Sequence, residues 1–190
     1  MVAGVGDGRL VLLDCDIAHG RWIETHMPGN EGVWLCSHSP APGLVVTGST
    51  AGTVAAWSCE QQACEWRLQT CHQSAVTTLW GVQLADRLLV VTGGDDQGLT
   101  VVIDGATTCV ASNAHASAVK GVWSDGRLVL SVGLDQRLRV WRLEDGALVL
   151  VQWHWVQVLE PEGLHVCEGG GGLHVAVCGR GVDYFLVKLL

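Results

Sequence analysis

The stretch 115–143, HASAVKGVWSDGRLVLSVGLDQRLRVWRL, holds three short apolar runs at 119–123, 128–132 and 138–143. Turn-formers separate them: Ser124, Asp125 and Gly126 after the first, and residues 133–136 after the second. In the third run Leu138, Val140 and Trp141 alternate with Arg137, Arg139 and Arg142. That period of two marks strands with one face buried. An outer strand is expected at 147–152. The pattern predicts a four-stranded antiparallel meander.

The same grammar recurs along the chain. Strands are expected at 2–6, 10–13 and 21–25 in a first unit, and at 32–36, 44–48, 53–57 and 65–69 in a second. A third unit has strands at 76–82, 88–92, 99–103 and 108–111, and a last one at 164–167, 173–178 and 182–187. Aligning the turns brings Ala3, Thr47, Thr92, Ser131 and Cys178 into register, at steps of about 39–47 residues. Such a step is close to that expected of β-propeller blades. The run Gly169–Gly172 reads as a hairpin tip rather than a phosphate cradle, since neither a Walker pattern nor a strand-to-helix switch surrounds it.

A histidine ahead of the first strand and a tryptophan closing the third make 115–143 resemble one WD repeat. In that family a His, a Ser or Thr on the middle strand, an Asp in the next turn and the Trp form a hydrogen-bonded chain. The matching positions are His115, Ser131, Asp135 and Trp141. A buried carboxylate and imidazole are costly unless each lone pair and N–H is partnered, so the four are read as structural, not as a catalytic triad. Partial sets fall at His26, Thr47 and Trp57, with Ala51 in place of the Asp, and at His72, Thr92 and Asp96, with Val102 in place of the Trp.

The expected fold class is therefore all-β, a WD-repeat β-propeller forming an incomplete ring of three full and two partial blades. The units are a partial blade at 1–25, blades at 26–70, 71–113 and 114–155, and a partial blade at 156–190. Since a propeller hides its sheet edges by closing, the expectation is either a portion of a longer protein or dependence on another chain.

Composition narrows the rest. The 190 residues include 25 Gly and 4 Pro, which suits many tight turns, and 48% are hydrophobic. A net charge of −8 with only 11 Lys and Arg argues against a surface that grips phosphate unaided. Eight cysteines occur without a CxxC pair. A zinc site of Cys59, Cys64, Cys71 and His72 has irregular spacing, and buried free thiols in a reducing compartment are the better reading. There is no positively charged leader and no uninterrupted apolar span, so a soluble, cytoplasmic protein is expected. His19, His38 and His154 have carboxylates nearby, but no nucleophile–base–orienter spacing is readable, and no GxGxxG follows a strand. No enzyme activity and no cofactor are expected.

The runs AHASAVKGVW and SVGLDQRLRVWRLEDG further resemble the C-terminal propeller of the WD repeat-containing protein 6 family. CHQSAVTTLW and LLVVTGGDDQGLTV resemble the preceding repeat of that family and HVAVCGRGVDYF its final strands, LDQRLRVWRL being the most specific piece. The resemblance implies a non-catalytic partner of an FtsJ-type methyltransferase, which places a 2′-O-methyl group on the tRNA wobble nucleotide. Catalysis and S-adenosylmethionine binding would then belong to the partner, with tRNA met only indirectly. The alternative is a generic WD-repeat interaction scaffold, as in ubiquitin-ligase recruitment or signalling. Candidate contact positions on blade-top loops are Met27, His38, Arg87, Lys120 and Arg137. Trp153 and Trp155 fall on one face if their segment is a strand, with burial between outer strands weighed above an exposed patch.

Overall fold

In the computed structural model of the chain, residues 2–4, 10–16, 21–27 and 32–188 are described, with side chains for Val11 and from residue 32 onward. Eighteen strands form five antiparallel sheets, each a meander of sequence neighbours. The first sheet is β1 (Val2–Gly4), β2 (Leu10–Asp16) and β3 (Arg21–Met27). The second is β4 (Trp34–Ala41), β5 (Leu44–Ser49), β6 (Val54–Ser58) and β7 (Ala63–Leu68). The third is β8 (Val76–Leu84), β9 (Arg87–Gly94), β10 (Leu99–Ile103) and β11 (Ala106–Ala111). The fourth is β12 (Val119–Ser124), β13 (Leu128–Gly133), β14 (Arg137–Glu144) and β15 (Ala147–Trp155). The fifth is β16 (Gly163–Gly169), β17 (Gly172–Gly179) and β18 (Gly181–Lys188).

Local chemistry sets these boundaries. Asp104-Gly105 and Asp145-Gly146 both take positive φ at each residue, the two-residue turn whose twist matches that of the flanking strands. They close β10 onto β11 and β14 onto β15. The outer strand β15 runs three residues beyond the sequence expectation. Its ladder persists because Trp153 and Trp155 pair with Arg139 and Arg137, so all of β14 is covered.

Alternation of side chains then builds the core. On β13, Val129 enters an apolar layer shared with the third sheet, whereas its neighbour Leu130 enters the layer shared with the fifth. Val91, Leu99, Val122 and Trp141 fill the first of these layers, and Leu138, Val140, Val175 and Val177 the second. Val46, Val54, Val76 and Val90 form the layer between the second and third sheets. Middle strands buried on both faces explain why the sequence reads there as continuous apolar runs rather than strict alternation. The first strands β4, β8, β12 and β16 touch one another in order, so the sheets radiate from a common axis like blades.

The chain is all-β, an incomplete propeller of three four-stranded and two three-stranded sheets among the described residues, which contain no helix. No helix of the described residues is long and apolar enough to cross a membrane.

Two register expectations differ from the structure. Thr47, Thr92 and Ser131 each sit two residues before the last residue of their middle strand, and on β17 that place belongs to the buried Val177. Cys178 is one step later and exposed, because a slip of one residue in a strand moves a side chain to the opposite face. His26 lies within β3, opposite Val11, rather than in the loop ahead of β4. Its side chain is outside the described residues, as are His19 and the side chain of Met27.

Candidate functional site

The fourth sheet brings His115, Ser131, Asp135 and Trp141 together. Indole Nε1–H can only donate, and Trp141 gives it to Ser131 Oγ at 2.9 Å. His115 Nδ1 stands 2.8 Å from Asp135 Oδ1, and its Nε2 stands 2.8 Å from Ser131 Oγ. A carboxylate can only accept, so Nδ1 carries the proton. Burial, opposed by the hydrogen bond to Asp135, holds the His115 pKa below its ordinary value, and the ring is neutral at pH 7. Nε2 is then bare and accepts the Ser131 hydroxyl. The four groups form one relay of donors running Trp141, Ser131, His115, Asp135.

Asp135 collects the end of the relay. Burial pushes its carboxyl up, but the Ala116 N–H, His115 and the Arg139 guanidinium together bring it below the usual range. The contact is possible because residue 133 is glycine. A Cβ there would lie 2.7 Å from His115 Nδ1 and 3.0 Å from Asp135 Oδ1.

The third sheet repeats the inner half of this arrangement. His72 Nδ1 donates to Asp96 Oδ1 at 2.9 Å, and Nε2 lies 2.8 Å from Thr92 Oγ1. With Val102 in place of tryptophan, Thr92 has no indole donor. The Thr92 hydroxyl gives its one proton to His72 Nε2, and the Cys71 Sγ lies 3.8 Å from its oxygen in place of an indole. Gly94 stands where Gly133 does, and a Cβ there would lie 2.6 Å from both His72 Nδ1 and Asp96 Oδ1.

The second sheet keeps the outer half. Trp57 Nε1–H donates to Thr47 Oγ1 at 2.8 Å, with both residues fully buried. Ser49 occupies the place of Gly94 and Gly133, and its hydroxyl accepts the Ala51 and Thr53 N–H groups. Thr50 Oγ1 accepts the Val33 N–H and ties the loop to β4. Serine thus caps its turn locally, where the aspartates of the other two sheets reach a distant histidine. Sequence reasoning noted the missing Asp at Ala51 but not Ser49, although a Ser in place of a glycine ending the middle strand was a readable signal.

The proposed contact residues do not share one surface. His38 and Lys120 lie on β4 and β12, facing the axis, and they line one cleft with Trp80 and Glu162. The His38 ring stacks on Trp80 at 4.0 Å, and burial holds its pKa low. Arg87 is exposed at the β8–β9 hairpin, at the end opposite the His–Asp pairs. Arg137 begins β14, at the same end as Asp135. Two of the positions expected on loops therefore belong to axial strands: β4 runs past the expected 32–36 to include His38, and Lys120 lies within the expected strand itself.

Trp153 and Trp155 form an exposed pair, and the expectation of burial is corrected. They are 46% and 59% exposed, with ring centroids 5.4 Å apart in an edge-to-face arrangement. The Arg137 guanidinium lies 5.1 Å and 4.9 Å from the two rings. Its Nε is buried with no hydrogen-bond partner among the described residues. Stacking holds the arginine while leaving donors unspent. Residue 154, between them, points to the other face, where His154 meets Phe185 at 5.9 Å.

Cys36 and Cys71 behave as packing groups, whereas Cys64, Cys167 and Cys178 are exposed, against the expectation of buried thiols. Burial pushes the Cys36 thiol up to about 12 and raises that of Cys71 as well, whereas a metal ligand needs a thiolate. His72 spends both ring nitrogens within its sheet, and no cluster of three or more metal-ligating side chains occurs among the described residues.

Comparison with known proteins agrees with this geometry. Residues 107–142 match the family model described as "WD domain, G-beta repeat", a span that holds all four residues of the relay and stops short of β15. The computationally designed Ika8 protein, known from a crystal structure, is similar with a TM-score of 0.74 and 21% sequence identity. The match covers 97% of this chain and 54% of that one, so the chain spans about half the length of the designed protein. At this identity the likeness concerns the fold alone. No curated protein matches the chain in sequence.

Proposed function

We propose that the chain is a non-catalytic protein-interaction scaffold, and that its partner is an FtsJ-type tRNA 2′-O-methyltransferase subunit. The WD-repeat match supports the scaffold role, since such repeats are generally binding platforms without chemistry of their own. The single observation that carries it is the exposed Trp153–Trp155 pair with Arg137 stacked across it. Tryptophan and arginine dominate binding hot spots because they bury much apolar area and still offer directed donors. The side chains of His115, Ser131, Asp135 and Trp141 are spent on one another, which supports a structural rather than a catalytic role.

The methyltransferase as partner rests on the sequence segments that resemble the WD repeat-containing protein 6 family. With a net charge of −8, the chain leaves most tRNA contact to the enzyme. The test is co-purification of the chain with the methyltransferase, with and without Trp153→Ala and Trp155→Ala. Retention that falls at least about tenfold in the double variant supports both parts of the reading. Capture of other proteins through the tryptophans, without the methyltransferase, leaves the generic scaffold and rejects the named partner.

A further inference from the structure

The fourth and fifth sheets enclose a cleft of about 250 Å³ at the hairpin end of the molecule, opposite the His–Asp pairs. Its floor is apolar, made by Leu128, Val140 and Val151. Val151 is available because the β14–β15 ladder shifts between Val140 and Trp141, leaving it without a cross-strand partner. Its rim carries Arg127, Arg142 and Lys188, all exposed. Three of only 11 Lys and Arg in a chain of net charge −8 thus meet at one cleft.

Two of the carboxylates nearby, Asp125 and Glu144, are already engaged. Asp125 Oδ1 accepts the Arg127 and Leu128 N–H groups at 2.8 Å and 2.7 Å. Glu144 pairs with Arg142 at 3.0 Å, with both side chains about half exposed, a contact that solvent weakens and a competing carboxylate displaces. Arg127 and Lys188 have no ion pair among the described residues. The volume falls below the roughly 300–1,000 Å³ of pockets that enclose a whole small ligand, and suits one or two side chains of a longer one.

We infer that this cleft docks an acidic peptide segment, one that seats an aliphatic side chain on Val140 and Val151 and gives carboxylates to Arg127, Arg142 and Lys188. Charge complementarity selects this occupant. A basic peptide would meet three like charges, and a purely apolar one would leave those cations without counter-ions as water is expelled. The site is separate from the tryptophan pair and does not require the methyltransferase reading.

The test is fluorescence anisotropy of the full chain with a labelled hexapeptide of alternating glutamate and leucine. A lysine–leucine hexapeptide and a uridine hexanucleotide serve as rivals. The acidic peptide is expected to bind below about 1 mM, more weakly at high salt. Arg127→Glu with Lys188→Glu should lower its affinity at least about tenfold, with the melting temperature unchanged because both side chains are exposed. Val151→Asp should do the same through the floor. Trp153→Ala should leave this affinity intact while weakening the partner proposed above, which keeps the two readings apart. No acidic-peptide binding, equal binding of the basic peptide, tighter binding of the oligonucleotide, or no loss in the charge-reversal variant would each overturn the proposal.

Discussion

The second and fourth sheets have the same meander, yet they secure their loops in different ways. In the fourth, Gly133 opens room for an imidazole, and the relay from Trp141 to Asp135 ties the middle strand to the loop ahead of β12. In the second, Ser49 stands at that place and its hydroxyl ties the turn to itself through Ala51 and Thr53. One residue, glycine or serine, decides whether the inner end of a blade is held by a long-range pair or by a local cap. The lesson is that a sheet of this kind needs its buried donors satisfied, not any one set of residues.

Several substitutions sharpen this contrast. The largest effect is expected for Asp135→Ala, which strands the His115 N–H, the Ala116 N–H and the Arg139 charge at once. A loss of about 3–5 kcal/mol is expected from removing one partner of such a pair, read by urea denaturation. Next comes Gly133→Ala, whose Cβ would meet the His115 ring. It should cost about 1–3 kcal/mol by overpacking, whereas Ser49→Gly should cost less, losing only a turn cap. Equal costs at the two positions would remove the distinction drawn between the sheets.

Trp141→Phe and Trp57→Phe form a matched pair. Each deletes one buried N–H donated to a hydroxyl, and each is expected to cost about 1 kcal/mol or somewhat more once packing changes are included. Trp141→Phe should also alter the His115 environment, since the fourth sheet links the indole to an imidazole through Ser131. The His115 resonances in the two variants would show it.

The pH dependence is the smallest effect. His115 has a folded-state pKa below the ordinary 6.5, so between the two values the unfolded chain binds more protons. Stability should therefore fall as pH drops below 6.5, and level off once the folded-state pKa is passed. Asp135, held below 3.8, adds a second loss of the same sign at more acid pH. His38 is lowered by burial too and contributes in the same direction. A His115→Gln variant should keep only the His38 share of the first slope, which thermal melts from pH 7.5 to 5 will read.

Much of the fold was legible in the sequence because alternation and Asp-Gly turns act locally. Residues 99–103 announced β10 without any knowledge of their neighbours. The quartet of the fourth sheet was legible because its types and spacing all match one pattern. The rest depended on three-dimensional facts. Whether position 177 or 178 faces the core turns on ladder register set by a tight Gly179–Gly181 turn. Whether Trp153 and Trp155 are buried turns on how far the third sheet's outer strand reaches across β15. The basic cleft gathers Arg127, Arg142 and Lys188 from three separate strand ends, which no local pattern could join.

The most direct test of the account is the protonation state of His115, since the relay fixes it on both sides. Long-range nitrogen–proton NMR at pH 7 should show a neutral ring with the proton on Nδ1 and a bare Nε2. A proton on Nε2, or an imidazolium carrying both, would contradict the donor chain from Trp141 to Asp135 and with it the explanation of how this sheet is locked.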